Sequence, residues 1–243
     1  MKRIIEADRS IIPACDVDSL DKLRSLVKAT AGVDGIGGYK LGFTLALRYG
    51  LPECVKEIRA LSDKPLIYDH QKAGTDIPDT GKPFAQACAE AGVDAVILVP
   101  MSGPATQVAW TQAAQDAGLS VMVAGEMTHE RFLQSDGGYL SNDAPSRILS
   151  LAARLGVADF VVPGTKPDKI AQYRTELEKT LGAGNFAFYS PGFVAQGGDL
   201  GEGAKAAGKR FHPIVGRAIY NAGGEAQMKT AAQALCDKLS ATP

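Results

Sequence analysis

The sequence is short of the groups that mark several common functions. Its 243 residues hold only three histidines (His70, His129, His212), with no HxH pair and no clustered His/Cys ligand set of the kind that binds a transition metal. Four cysteines (Cys15, Cys54, Cys88, Cys236) lie far apart with no CxxC pair, and read as reduced, mostly buried thiols. Charge of one sign is also missing. The net charge is -1 and the pI about 6.3, so there is no basic excess for a nucleic-acid backbone and no polybasic tail for an anionic membrane. The longest apolar run, AVILVPM at 95–101, falls far short of the ~20 residues that cross a bilayer. The first residues, MKRIIEADRS, turn charged after two isoleucines, unlike a signal peptide. No Pro/Ser-rich linker breaks the chain. The expectation is a cytoplasmic protein forming one domain over residues 1–243, without nucleic-acid or membrane partners.

What is present is a regular alternation. Short apolar, β-branched runs stand at 10–16, 35–42, 64–69, 94–100, 120–125, 159–164, 186–192 and 212–217. They lack clean polar/apolar alternation, as strands buried on both faces of a parallel sheet do. Amphipathic stretches lie between them, at 19–30, 83–92, 104–118, 145–156, 166–182 and 224–239. The first opens on Ser19, a natural N-cap, and sets Leu20, Leu23, Leu26 and Val27 on one face. Eight βα units in this length match a single α/β (β/α)8 TIM barrel with eight parallel strands. A doubly wound sheet fits less well, because the first βα turn, ACDVDSLD, has no GxGxxG.

In such a barrel the active site forms at the strand C-terminal ends, and the charges gather there. The first strand ends at Asp16, the second near Lys40, and the third at Asp69, running on to Lys72 and Asp76. Lys40, Asp69, Lys72 and Asp76 alternate in sign, so each can hold its neighbour ionised. A fixed ammonium donates a proton or stabilises developing negative charge, and an ionised aspartate repels a substrate carboxylate. After the seventh and eighth strands come a small-residue loop, SPGFVAQGGD (190–199), and VGRAIY (215–220). Loops at these positions commonly bind phosphate, and Arg217 can grip one bidentately.

Five ordered blocks, DIPDT (76–80), EMTH (126–129), GTKPDKI (164–170), SPGFVAQGGD and VGRAIY, resemble the orotidine 5'-monophosphate decarboxylase family, over roughly residues 10–220. The resemblance implies the last step of de novo pyrimidine synthesis, orotidine 5'-monophosphate to uridine 5'-monophosphate, with no metal or organic cofactor. It implies that Asp16 binds the ribose and that Lys40 binds the ribose and orients Asp69. Asp69 would face the departing carboxylate, and Lys72 would protonate the ring carbon. Thr128, where the family usually has serine, would bind the pyrimidine, with Pro191 beside the base. Gln196, Gly216 and Arg217 would hold the phosphate. Asp76, Ile77 and Thr80 would reach into the partner's site, which implies a homodimer.

One departure stands out. The family usually carries D-x-K-x-x-D, whereas this chain reads D-x-x-K-x-x-x-D, Asp69 to Asp76, with two extra residues. A spacing of three cannot put Asp69 and Lys72 on one face of a regular strand. The spacing predicts a bulge near His70–Gln71 and a bend at Gly74. The rival readings are a Mg2+-dependent relative on the same barrel (a hexulose-phosphate synthase or ketogulonate-phosphate decarboxylase), a non-catalytic nucleotide-binding barrel, and a sugar-phosphate isomerase. For the last, Glu126 is the only glutamate at a strand end, and it reads as support for its own turn.

Overall fold

The computed structural model describes residues 3–193 and 197–242. In chain order the elements are β1 (Ile12–Pro13), α1 (Leu20–Thr30), β2 (Tyr39–Gly42), α2 (Phe43–Tyr49), α3 (Leu51–Arg59), β3 (Leu66–Asp69), α4 (Gly81–Ala91), β4 (Ala95–Leu98), α5 (Pro104–Asp116), β5 (Ser120–Ala124), α6 (Ala144–Arg154), β6 (Asp159–Val161), α7 (Pro167–Leu181), β7 (Ala187–Pro191), α8 (Leu200–Ala207), β8 (Phe211–Val215), α9 (Arg217–Tyr220) and α10 (Glu225–Ser240). The strands form one eight-stranded parallel sheet in the order β1-β8-β7-β6-β5-β4-β3-β2. It closes into a barrel where β1 meets β2: Cys15 N–H donates to Lys40 O at 2.8 Å, and Ile11 N–H to Gly35 O at 2.9 Å. The seam is thin because Pro13, half of β1, has no N–H to give.

Strand pleating sorts the side chains. Tyr39 and Leu41 face the helices and pack with Leu23, Leu26 and Val27 of α1, while Lys40 between them points into the barrel. On β3, Leu66 and Tyr68 face outward and Ile67 and Asp69 inward. Ile12, Ala14, Ile97, Met122, Ala124, Val161 and Ile214 fill the interior with them, and Ile4 and Ile5 join this cluster. Ser19 caps α1 as expected, accepting from Lys22 N–H at 3.3 Å. The sequence pattern does not mark α2 and α3. Gly50, at φ +83°, splits residues 43–59 into two pieces too short to carry a long apolar stripe.

The N-terminal end of the barrel holds polar groups that the apolar runs hide. His212 is fully buried, with Nδ1 2.8 Å from Ser10 Oγ and its ring 4.8 Å from that of Tyr189. Asp159 on β6 lies beside Tyr189. Burial pushes the Asp159 carboxyl up to about 6, against smaller opposing pulls from the Tyr189 hydroxyl and Arg210. Burial likewise drives His212 down to about 3, with Arg210 adding to the effect.

Candidate active site

The strand C-terminal ends enclose a cavity of about 270 Å³, lined among others by Asp16, Lys40, Asp69, Lys72, Thr128, Pro191, Gly216 and Arg217. A larger groove of about 670 Å³ runs outside the barrel between α5, α6 and α7, but the strand-end charges do not converge there. The smaller cavity is therefore the candidate site.

Lys40 is its centre. The ammonium lies 3.1 Å from Asp16 Oδ1 and 3.2 Å from Asp69 Oδ2, and the residue is only 5% exposed. Burial alone would lower its pKa, but Asp69 and Asp16 together outweigh burial and hold the ammonium above its ordinary value. Lys40 thus stays charged and keeps two carboxylates in place. Gly42, two residues on, makes room for this arrangement: a Cβ there would stand 2.3 Å from Asp16 Oδ1. No sequence signal singled out Gly42, because its role comes from a neighbouring loop.

Beyond Asp69 the chain leaves strand geometry. Gln71 and Lys72 both have left-handed backbones, with φ +54° and +91°, and Gly74 follows at +85°. These are the irregularity and the bend that the D-x-x-K spacing calls for. Gln71 N–H donates to Asp69 Oδ1 at 2.9 Å, and Ala73 O accepts from Val99 N–H at 2.6 Å, pinning the loop to the end of β4. Lys72 is thereby brought to the cavity wall with Lys40 and Asp69. Among the described residues its ammonium makes no ion pair, so the four-charge array is not one continuous network.

Across the cavity, Glu126 is buried and held by Lys166 Nζ at 2.8 Å and by the Tyr173 hydroxyl. Thr165 Oγ1 donates to Thr128 O at 3.3 Å and ties that turn to the loop after β6. Glu126 therefore supports its turn, as the sequence suggests; the part of Tyr173, on α7, is not visible in the sequence. At the far rim, Arg217 is exposed and its guanidinium is unpaired among the described residues. The loop after β7 is pinched at its base, where Gly198 N–H donates to Gly192 O at 3.1 Å. A Cβ on Gly198 would meet Gly164 O at 2.7 Å and Gly192 O at 2.8 Å, so only glycine fits.

This chemistry has a counterpart among known proteins. The model of the Orotidine 5'-phosphate decarboxylase / HUMPS family matches residues 9–232. The chain belongs to this family. It is 34% identical over 235 residues to the orotidine 5'-phosphate decarboxylase of Methanosarcina barkeri, covering 94% of this chain and 96% of that protein. To that of Methanococcoides burtonii it is 29% identical, covering 97% and 100%. Among solved structures, orotidine 5'-monophosphate decarboxylase from Methanocaldococcus jannaschii, complexed with the inhibitor BMP, superposes with a TM-score of 0.80 at 26% identity, covering 95% of this chain and 98% of that one.

The family blocks land unevenly around the cavity. Asp16, Lys40, Asp69, Lys72, Thr128, Pro191, Gly216 and Arg217 line it together. Gln196 lies outside the described residues. Asp76, Ile77 and Thr80 do not join the chain's own cavity. Their segment is instead held against α5: Asp76 O accepts from Thr106 Oγ1 at 2.8 Å, and Ile77 O from Trp110 Nε1 at 3.0 Å. Ile77 is left 58% exposed.

Proposed function

We propose that this chain is a carboxy-lyase that converts orotidine 5'-monophosphate to uridine 5'-monophosphate without a metal. The observation that carries the reading is the Asp16–Lys40–Asp69 chain of contacts, with Lys72 and Arg217 lining the same cavity. Asp69, kept in place by Lys40, faces the substrate carboxylate and disfavours its bound, charged state. The bond from ring carbon C6 to the carboxylate breaks and CO2 leaves. The electron pair stays on C6, in the ring plane, where π-delocalisation does not reach it. The Lys72 ammonium stabilises that pair and donates the proton that forms the C6–H bond; water then restores the lysine. A lysine free of ion pairs among the described residues suits this task, since none of their carboxylates must be abandoned when it turns to the substrate. Asp16 and Lys40 hold the ribose, Thr128 the pyrimidine, and Pro191 flanks the base.

At the far end, Arg217, Gly216 and Gln196 bind the phosphate. Contacts this far from C6 supply binding energy that is used to dehydrate the reacting end. Asp76, Ile77 and Thr80 complete the site of a second protomer in a homodimer. Their displacement from the chain's own cavity and the exposure of Ile77 support that division.

The Mg2+-dependent branch is the second reading, because the matched family also spans the HUMPS enzymes. Against it stands Lys40, whose ammonium already sits between the two carboxylates where a cation would bind. The test follows the loss of orotidylate ultraviolet absorbance with purified protein, with and without EDTA. Turnover that survives EDTA is expected. Absent turnover refutes the reading, and turnover abolished by EDTA moves the protein to the metal-dependent branch.

A further inference from the structure

His70 and Gln71, which stand between Asp69 and Lys72 where the family motif has a single residue, face opposite ways. His70 continues the outward face of β3. Its Nδ1 lies 2.6 Å from Tyr68 Oη, and its ring meets Phe84 of α4 edge-on at 5.9 Å. Gln71 turns back over the strand ends and lines the cavity. Its left-handed backbone, φ +54°, aims its N–H at Asp69 Oδ1 at 2.9 Å, while Asp69 Oδ2 is taken by Lys40 at 3.2 Å. Both oxygens of that carboxylate are thus held, from two sides. The Gln71 side chain anchors the turn: Oε1 accepts from Phe43 N–H at 3.4 Å, at the start of α2. Phe43 follows Gly42, the residue paired with Asp69 in the β2–β3 register. The carboxamide therefore spans two adjacent strand ends, closing a ring through Gly42, Phe43, Gln71 and Asp69.

We propose that Gln71 is a positioning residue for Asp69, latching the lengthened loop so that the carboxylate keeps one orientation towards the substrate. Left-handed backbone in two consecutive non-glycine residues is strained, and it persists only where the surroundings over-determine it. His70 on the outer side and the Gln71 carboxamide on the inner side are those determinants. Asp69 ends its strand and borders a loop that strand pairing does not restrain. Without the latch it would sample other orientations, and small losses of alignment cost large factors in rate.

The inference rests on the decarboxylase reading, and the experiment separates the two. Gln71→Ala removes the carboxamide; Gln71→Gly does so while relieving the left-handed strain. Both are expected to lower kcat about tenfold or more, with KM changed less than about threefold. Melting temperatures should stay near that of the unsubstituted protein, and the acid limb of the kcat profile should move. A merely structural glutamine would lower the melting temperature and leave that limb in place. Unaltered kcat and pH profile in both variants overturn the inference while leaving the decarboxylase reading intact. If the unsubstituted protein shows no turnover, the decarboxylase reading fails instead. Crystal structures of Gln71→Ala and its parent then decide the latch: an Asp69 carboxylate still bound to both residue 71 N–H and Lys40 overturns it.

Discussion

Lys40 and Lys72 share one cavity but differ in what their removal should do. Lys40→Ala leaves Asp16 and Asp69 without the ammonium between them. Removing one partner of a buried ion pair costs about 3–5 kcal/mol. The Asp16 side chain is 38% exposed, so water screens its share to about 1 kcal/mol or less. Asp69, at 18%, is screened less, and the lost lysine stem adds to the cost. The expected loss is about 2–3 kcal/mol at pH 7, from a total of about 5–15. With an m-value of about 1–3 kcal/mol per molar urea, the midpoint falls by about 1 M.

The sign with pH follows from the raised Lys40 pKa. Its contribution is complete below the ordinary value of 10.5 and fades only as pH rises through the higher folded value, so neutral buffers see all of it. Lys72 is exposed and unpaired among the described residues, so Lys72→Ala should move stability by less than about 0.5 kcal/mol. It should nevertheless cut turnover by at least about 10²–10⁴, the range of a positioned general acid. Urea unfolding and the orotidylate absorbance assay, run on both variants, check this. An unmoved midpoint for Lys40→Ala would refute the ion-pair argument. Near-normal turnover by Lys72→Ala would refute its role as the acid.

Three further outcomes are expected. Asp159 is protonated more readily in the folded chain, at about 6 against an ordinary 3.8, so its stabilising contribution is full below 3.8 and lost as pH rises through 6. Asp159→Asn should therefore gain about 3 kcal/mol on the parent between pH 3.5 and 7.5 in urea melts; a pH-independent difference would reject the shift. Mixing Lys72→Ala with Asp76→Ala should restore part of the activity, because a hybrid of the proposed homodimer would rebuild one complete site. Failure despite verified subunit exchange would show that Asp76 serves its own chain's site or none. Arg217→Ala should raise KM by about 10²-fold or more, and excess inorganic phosphite, added with a substrate truncated at the phosphate, should activate the parent but not that variant. Equal activation of both would remove Arg217 from phosphate binding.

Much of the architecture was legible because a parallel barrel repeats one local pattern. Each strand is an apolar run bounded by turn residues, and α1, α4, α5, α6, α7 and α10 lie close to the amphipathic stretches read from the sequence. α2, α3 and α8 went unmarked because they are short, only seven to nine residues each, so each shows about two turns of any pattern. The polar cluster of Asp159, Tyr189 and His212 was hidden for a different reason. A parallel strand is buried on both faces, so nothing in its composition says which residues meet inside.

The sequence by itself determined the order of βα units, the strand ends that carry charge, and the need for an irregular backbone between Asp69 and Lys72. Those follow from chain periodicity, which is local. Tertiary structure alone decided that Lys40 pairs with Asp16 as well as with Asp69, and that Lys72 makes no ion pair among the described residues. It also set Gly42 against Asp16 and turned His70 outward while Gln71 folds back on Asp69. Each of these depends on how neighbouring strands are staggered around a closed barrel, a distance that no spacing along one chain segment encodes.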